Sequence, residues 1–278
     1  MKRPSTPTTK WLRKMLRNPF LKFFYDQRVS LLVWNIALVA TSVMYVGFYP
    51  MMKDQQMASA INSYPEAVRD ALGLQDLASP AGYLSGTVFG LVVPTLVIIF
   101  AVLLGLKVNA ADEEAGTLDL LMSYPISRTS FYVQRAAAVL CCLLDACALI
   151  FVAVLLTSRV VDMQIEVDRL AAACLLLVAL AAVFAILAVA VSGVMGRRAV
   201  AGGVAGAIAV VAYLANSFAP QIPDIEGLRK ISAFYYYSAG DPLSKGLDLG
   251  HLGILTAAVI LLLVAGSYAF SRRDIASV

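Results

Sequence analysis

The chain has 278 residues, 60% of them hydrophobic and only 14% charged, with a formal net charge of +4. Soluble domains carry about a quarter charged residues and keep their apolar runs short. That composition excludes an ordinary soluble domain and points to repeated crossing of a bilayer, for which a helix needs roughly 20 apolar residues.

Residues 1–28 are basic, with Lys2, Arg3, Lys10, Arg13, Lys14, Arg17, Lys22 and Arg28 interleaved with Trp11, Leu12, Phe20 and Phe24. The pattern predicts an amphipathic interfacial helix on an anionic membrane surface. A nucleic-acid arm is the rival for such a run. Its place directly before an apolar stretch favours the membrane, and no nucleic-acid partner is expected. Residues 29–278 read as one six-span transmembrane domain.

The first span is expected over 29–49. A polar stretch at 51–80 follows, in which Ser63-Tyr64-Pro65-Glu66 has the form of a capping box. The second span is expected over 82–106, kinked at Pro94, which lacks an amide hydrogen for the helical ladder. The third falls at 131–157 and the fourth at 170–195. Gly196-Arg197-Arg198 separates the fourth from a fifth at 199–219. Residues 220–250, with Tyr235, Tyr236 and Tyr237, suit an interfacial or partly re-entrant stretch. The sixth span is expected over 251–270.

Orientation follows from where the bases sit. With both ends inside, fifteen of the 22 lysines and arginines are cytoplasmic, and the outer loops hold an excess of acids. The positive-inside rule therefore places the N- and C-termini in the cytoplasm of a cell-membrane protein.

The loop between spans two and three carries the sharpest signal. Asp112, Glu113 and Glu114 favour a helix N-terminus through the macrodipole. Leu118, Leu121 and Met122 then share one face. Pro125 ends the element by disfavouring helical geometry at Tyr124. The product is a short cytoplasmic amphipathic helix, unstable alone. Arg128 is the only base among the five charges from Asp112 to Arg128, which argues against an anionic lipid surface and for a docked protein.

Here the sequence resembles a family. Glu114-Ala115-Gly116-Thr117-Leu118-Asp119-Leu120-Leu121, followed by Pro125-Ile126-Ser127-Arg128, looks like the signature of permease subunits of type-2 ATP-binding-cassette (ABC) exporters. The ending Phe270-Ser271-Arg272-Arg273-Asp274 is similar to that family's last-span terminus. The resemblance implies six spans, an amphipathic N-terminal helix and a coupling helix that docks on a separate ATPase subunit. It also implies export and two permease halves, identical or not. Glu113, Glu114, Gly116, Thr117, Leu118, Leu121, Pro125 and Arg128 are the expected coupling residues. The sequence holds no G-x-x-x-x-G-K-[ST] phosphate loop, and Gly240 to Gly246 fails its spacing. ATP and magnesium are therefore expected on the partner chain, with no cofactor in this one.

Three further features bear on function. Asp145 is the one acid deep inside a span, and an intramembrane carboxylate is costly enough to be a candidate for the translocation path. It could equally pair with another helix or serve structure alone. Gly82, Gly86 and Gly90, and Gly202 and Gly206, repeat at four-residue spacing, which suits close helix packing within the subunit or a subunit seam. Cys141, Cys142, Cys147 and Cys174 fall inside apolar runs without metal-site spacing and read as small buried hydrophobes. His251 is the single histidine, and no nucleophile–base set accompanies it, so an enzyme acting on lipid is disfavoured. The alternatives to the exporter are an ion-coupled secondary transporter and a membrane anchor that holds a cytoplasmic partner without transporting.

Overall fold

The computed structural model describes residues 18–52, 64–65, 79–114, 127–219, 227 and 229–272, and of Asp112 the backbone alone. Those residues form helices and connecting turns, with no strand. Among the described residues, six helices are long and apolar enough to cross a membrane: Pro19–Met52, Pro80–Leu106, Arg128–Val160, Val167–Met195, Arg198–Phe218 and Leu249–Arg272. They are spans one to six below. Asn18 and Arg272 lie at the same end of the bundle, termed the near end. The expected helix at 112–124 lies outside the described residues beyond Glu114, as do residues 1–17 of the basic segment and most of the capping box at 63–66.

Span one starts ten residues before the expected Val29. Asn18 caps it, its Oδ1 accepting from the Phe20 amide at 3.0 Å, and Pro19 occupies the first helical position. A cap and a pre-set proline fix a helix start better than hydropathy does. Residues 19–28, expected in the interfacial segment, thus continue the span without a break. Ser79 and Pro80 start span two in the same way, with the Ser79 hydroxyl accepting from the Gly82 amide at 3.0 Å.

Span four is the hub. It is the most buried of the six and packs against spans two, three, five and six. Its residues on most faces are small or branched apolar side chains, such as Ala173, Leu177, Ala181 and Ala185, so neighbouring backbones approach closely. Gly196, at φ 65°, ends it in the left-handed conformation that glycine adopts without cost. Spans one, five and six are largely exposed and offer apolar faces outward. Cys142, Cys147 and Cys174 are buried, whereas Cys141 is exposed.

Pro94 does perturb span two, but through a change of helix type. Leu84–Val92 is π-helical, and the Val93 amide reaches back to the Val88 carbonyl. The next bond in that register would join the Pro94 nitrogen to the Phe89 carbonyl, and proline has no hydrogen to give. The Tyr237 hydroxyl donates to Phe89 O instead, at 2.8 Å.

Tyr237 belongs to the short helix Ala233–Ser238, which folds back into the bundle at the far end. The Ser232 hydroxyl donates to Ala212 O of span five at 2.7 Å and caps the Phe234 amide at 3.1 Å. The Phe234 ring packs against Phe184 and Tyr213. The helix Ala233–Ser238 is therefore re-entrant in character, held by two hydroxyl–carbonyl bonds, from Ser232 and Tyr237, and a buried aromatic wedge.

Candidate functional site

The near end gathers the polar residues that flank the expected coupling segment. Span two ends at Leu106. Lys107 follows, its Nζ donating to Gln27 Oε1 at 2.6 Å and Ser30 Oγ at 3.2 Å on span one. Burial, and then the charge of Arg198, hold the Lys107 ammonium below its ordinary range. Asn109 is fully buried with both amide atoms unpaired. Its carbonyl accepts from the Glu113 amide at 3.1 Å and opens the helix Ala110–Glu114.

Glu114 reaches across to span five. Its Oε1 accepts from the Arg198 backbone amide at 2.8 Å, and its Oε2 stands 3.9 Å from Arg198 Nε. Arg197, the residue at the cap position, contributes no side-chain bond of its own. An acid from the segment after span two thus satisfies one of the free amides at the start of span five and sits at the positive end of its dipole.

A base placed as Arg135 is, near the end of a span, ordinarily snorkels to the interface. Arg135 is instead buried at 2% exposure. Its Nη1 donates to Val108 O at 2.8 Å, and its guanidinium lies 4.6 Å from the Phe131 ring centroid. The carbonyl released after span two supplies a partner nearer than water, so the charge stays inside. Beside it, Tyr132 stacks near Phe270 of span six, in space left by Gly193 and Gly266. A Cβ on Gly266 would collide with the Tyr132 hydroxyl and stand 2.8 Å from Ala190 Cβ.

Of the expected coupling residues, Glu113, Glu114 and Arg128 are described, and Arg128 begins span three behind a Ser127 cap. Gly116, Thr117, Leu118, Leu121 and Pro125 lie outside the described residues. The structure brings Glu114 to Arg198, a contact the sequence did not suggest.

Asp145 lies halfway along span three, on its exposed face. Its Oδ2 accepts from Asn35 Nδ2 of span one at 2.9 Å. Asn35 was missed from sequence, although it is a polar residue near the middle of a long apolar helix.

The glycines differ among themselves. Gly90 lies in the π-helical turn, where a Cβ would stand 2.7 Å from Ser85 O of the same helix. A Cβ on Gly202 would touch Leu106 at 3.1 Å, whereas Gly206 faces open space. Gly82 and Gly86 stand at the far-end start of span two. Among the described glycines, the tightest approach to another span's backbone is at Gly105, where a Cβ would stand 2.5 Å from Ala185 O of span four.

A comparison with curated proteins finds no match. A family model described as "Multidrug efflux system permease Rv1217c, C-terminal domain" matches residues 16–271, which takes in the six spans except the last residue of the sixth. The chain is a multi-pass, all-helical membrane protein and belongs to this family of efflux-system permeases.

Proposed function

We propose that the chain is the membrane-spanning permease subunit of an ATP-driven exporter of the type-2 ABC kind. A separate cytoplasmic ATPase, which carries the ATP and magnesium, docks on residues 112–128. The near end faces the cytoplasm with both termini, as the distribution of bases favours. Residues 29–278 act as one permease domain, and a second permease subunit, identical or not, completes the transporter. The open faces of span five at Gly203 and Gly206 suit that seam. Asp145 lies on the route of the substrate through the bilayer.

The observation that carries this reading is the bond from Glu114 to the Arg198 amide. A force applied to the segment after span two reaches the first turn of span five through it, so one docking event would move two spans. The family match adds efflux as the direction.

Charge reversal tests the coupling. Glu113→Lys with Glu114→Lys is expected to abolish ATP-dependent efflux and to release the partner ATPase, while Glu114→Gln, which keeps an acceptor for Arg198, retains partner binding. Intact efflux and partner binding in the doubly reversed protein would contradict the mechanism.

Ion-coupled secondary transport is the second reading, favoured by the mid-span Asp145–Asn35 pair. Efflux that survives ATP depletion and collapses with the ion gradient would establish it instead.

A further inference from the structure

Asp145 stands seventeen residues into a 33-residue helix, so at 1.5 Å per residue it is about 25 Å from Arg128 and about 22 Å from Val160. Asn35 stands sixteen residues into span one, at a matching depth. Both are therefore near the middle of a hydrocarbon layer roughly 30 Å thick. Asp145 faces outward in a stripe continued by Leu149 and Val152, while Leu32, Val33 and Ile36 are exposed around Asn35. A carboxylate placed there must be neutralised or covered.

The pair presents more acceptors than donors, and it carries no cation. Asn35 Nδ2 is committed to Asp145 Oδ2, which leaves Asn35 Oδ1 buried and unpaired. Asp145 Oδ1 takes no hydrogen bond among the described residues. Two oxygens on adjacent helices thus lack donors, and one of them belongs to a carboxylate. No Lys, Arg or His occurs in residues 29–52, 80–106, 136–158, 170–195, 199–218 or 252–271. A second copy of this chain therefore brings no base to that depth. A phospholipid ammonium is held at the interface by its own phosphate, far from the midplane.

We propose that the Asp145–Asn35 pair is a binding site for lipophilic ammonium compounds that arrive from within the bilayer. An N–H group donates to Asp145 Oδ1 on the exposed face, Asn35 Nδ2 holds the carboxylate through Oδ2, the positive charge neutralises it, and the apolar body lies along Leu149 and Val152. The assignment rests on the reading that Asp145 lies on the substrate route, and it adds the chemical class of the substrate. A charge-assisted hydrogen bond in hydrocarbon discriminates strongly against a ligand that cannot make it.

The test uses the full chain in phosphatidylcholine nanodiscs, whose headgroup nitrogen bears no hydrogen. Equilibrium binding is measured for dodecylammonium, dodecyltrimethylammonium and dodecanol. Dodecylammonium is expected to bind about tenfold or more tightly than either of the others. Asp145→Asn, nearly isosteric, removes that preference and leaves dodecanol binding unchanged, and Asn35→Leu weakens it several-fold. Equal binding of dodecylammonium by the wild type and Asp145→Asn, or of the trimethyl compound and the ammonium by the wild type, overturns the assignment. Efflux of an uncharged dye from cells separates the two readings. If Asp145→Trp blocks dye efflux but the wild type shows no ammonium preference, the route stands and the ammonium assignment is overturned. If Asp145→Trp exports the dye normally, the route is overturned and the assignment with it.

Discussion

The Tyr237 hydroxyl fills the hydrogen bond that Pro94 leaves open at the Phe89 carbonyl, at a distance of 2.8 Å. The proline breaks the ladder of span two, and a residue nearly 150 positions along the chain completes it from the re-entrant helix. Tyr237→Phe strands a buried carbonyl and is expected to cost about 2 kcal/mol. Pro94→Ala restores an amide to the helix, so the same tyrosine change should cost about 1 kcal/mol less in that background. Thermal unfolding of the four proteins in one detergent measures the coupling, and additive losses would refute it.

Glu114 caps a helix to which it does not belong. Glu114→Ala is expected to destabilise the near end by about 1 kcal/mol, whereas Glu114→Gln loses less because its carbonyl oxygen still accepts from the Arg198 amide. Hydrogen exchange at the first turn of span five distinguishes them. Protection there should fall in the alanine variant and persist in the glutamine variant.

Arg135 ties span three to the turn after span two. Arg135→Met leaves Val108 O without this donor and is expected to cost about 2 kcal/mol. Arg135→Lys keeps the charge but loses the flat contact with Phe131, so it should fall between the two. Unfolding midpoints in detergent give the ranking, and a methionine variant as stable as the wild type would contradict the buried role.

Asp248 caps span six at the far end, its Oδ1 accepting from the Gly250 amide at 2.8 Å and the His251 amide at 3.1 Å. Those bonds, led by the one to His251, hold its carboxyl below the ordinary value of 3.8. A carboxyl depressed in the folded state contributes stability above its unfolded value, and that contribution is lost as pH falls through the folded one. Asp248→Ala should therefore lower the unfolding midpoint at pH 7, and the gap to the wild type should narrow as the pH drops below about 3.8. A gap independent of pH would show that the carboxylate charge is not what the cap uses.

The six spans were legible because hydropathy over bilayer length is a local property. Their true starts were not, since Asn18-Pro19 and Ser79-Pro80 act through caps that hydropathy averages away. Pro94 announced a distortion in span two, but the hydroxyl that takes up the Phe89 carbonyl comes from Tyr237, far off in sequence. Asp145 stood out as a lone acid, whereas Asn35 gained meaning only when spans one and three were set side by side. The burial of Arg135 was not legible, because a base near a span end has water within reach unless a turn carbonyl reaches it first. Four-residue glycine spacing drew notice to Gly90 and Gly202, yet the close crossing at Gly105 has no such spacing to mark it.

The proposed function requires a separate ATPase docked at the near end of this permease. The most direct measurement is a pull-down of the tagged chain from its own membranes in mild detergent, with co-purifying chains identified by mass spectrometry. A stoichiometric soluble chain with a Walker A loop is expected, lost when Glu113 and Glu114 are both reversed to lysine. A chain that purifies alone under several gentle extractions, and still drives efflux when reconstituted by itself with an ion gradient, would contradict it.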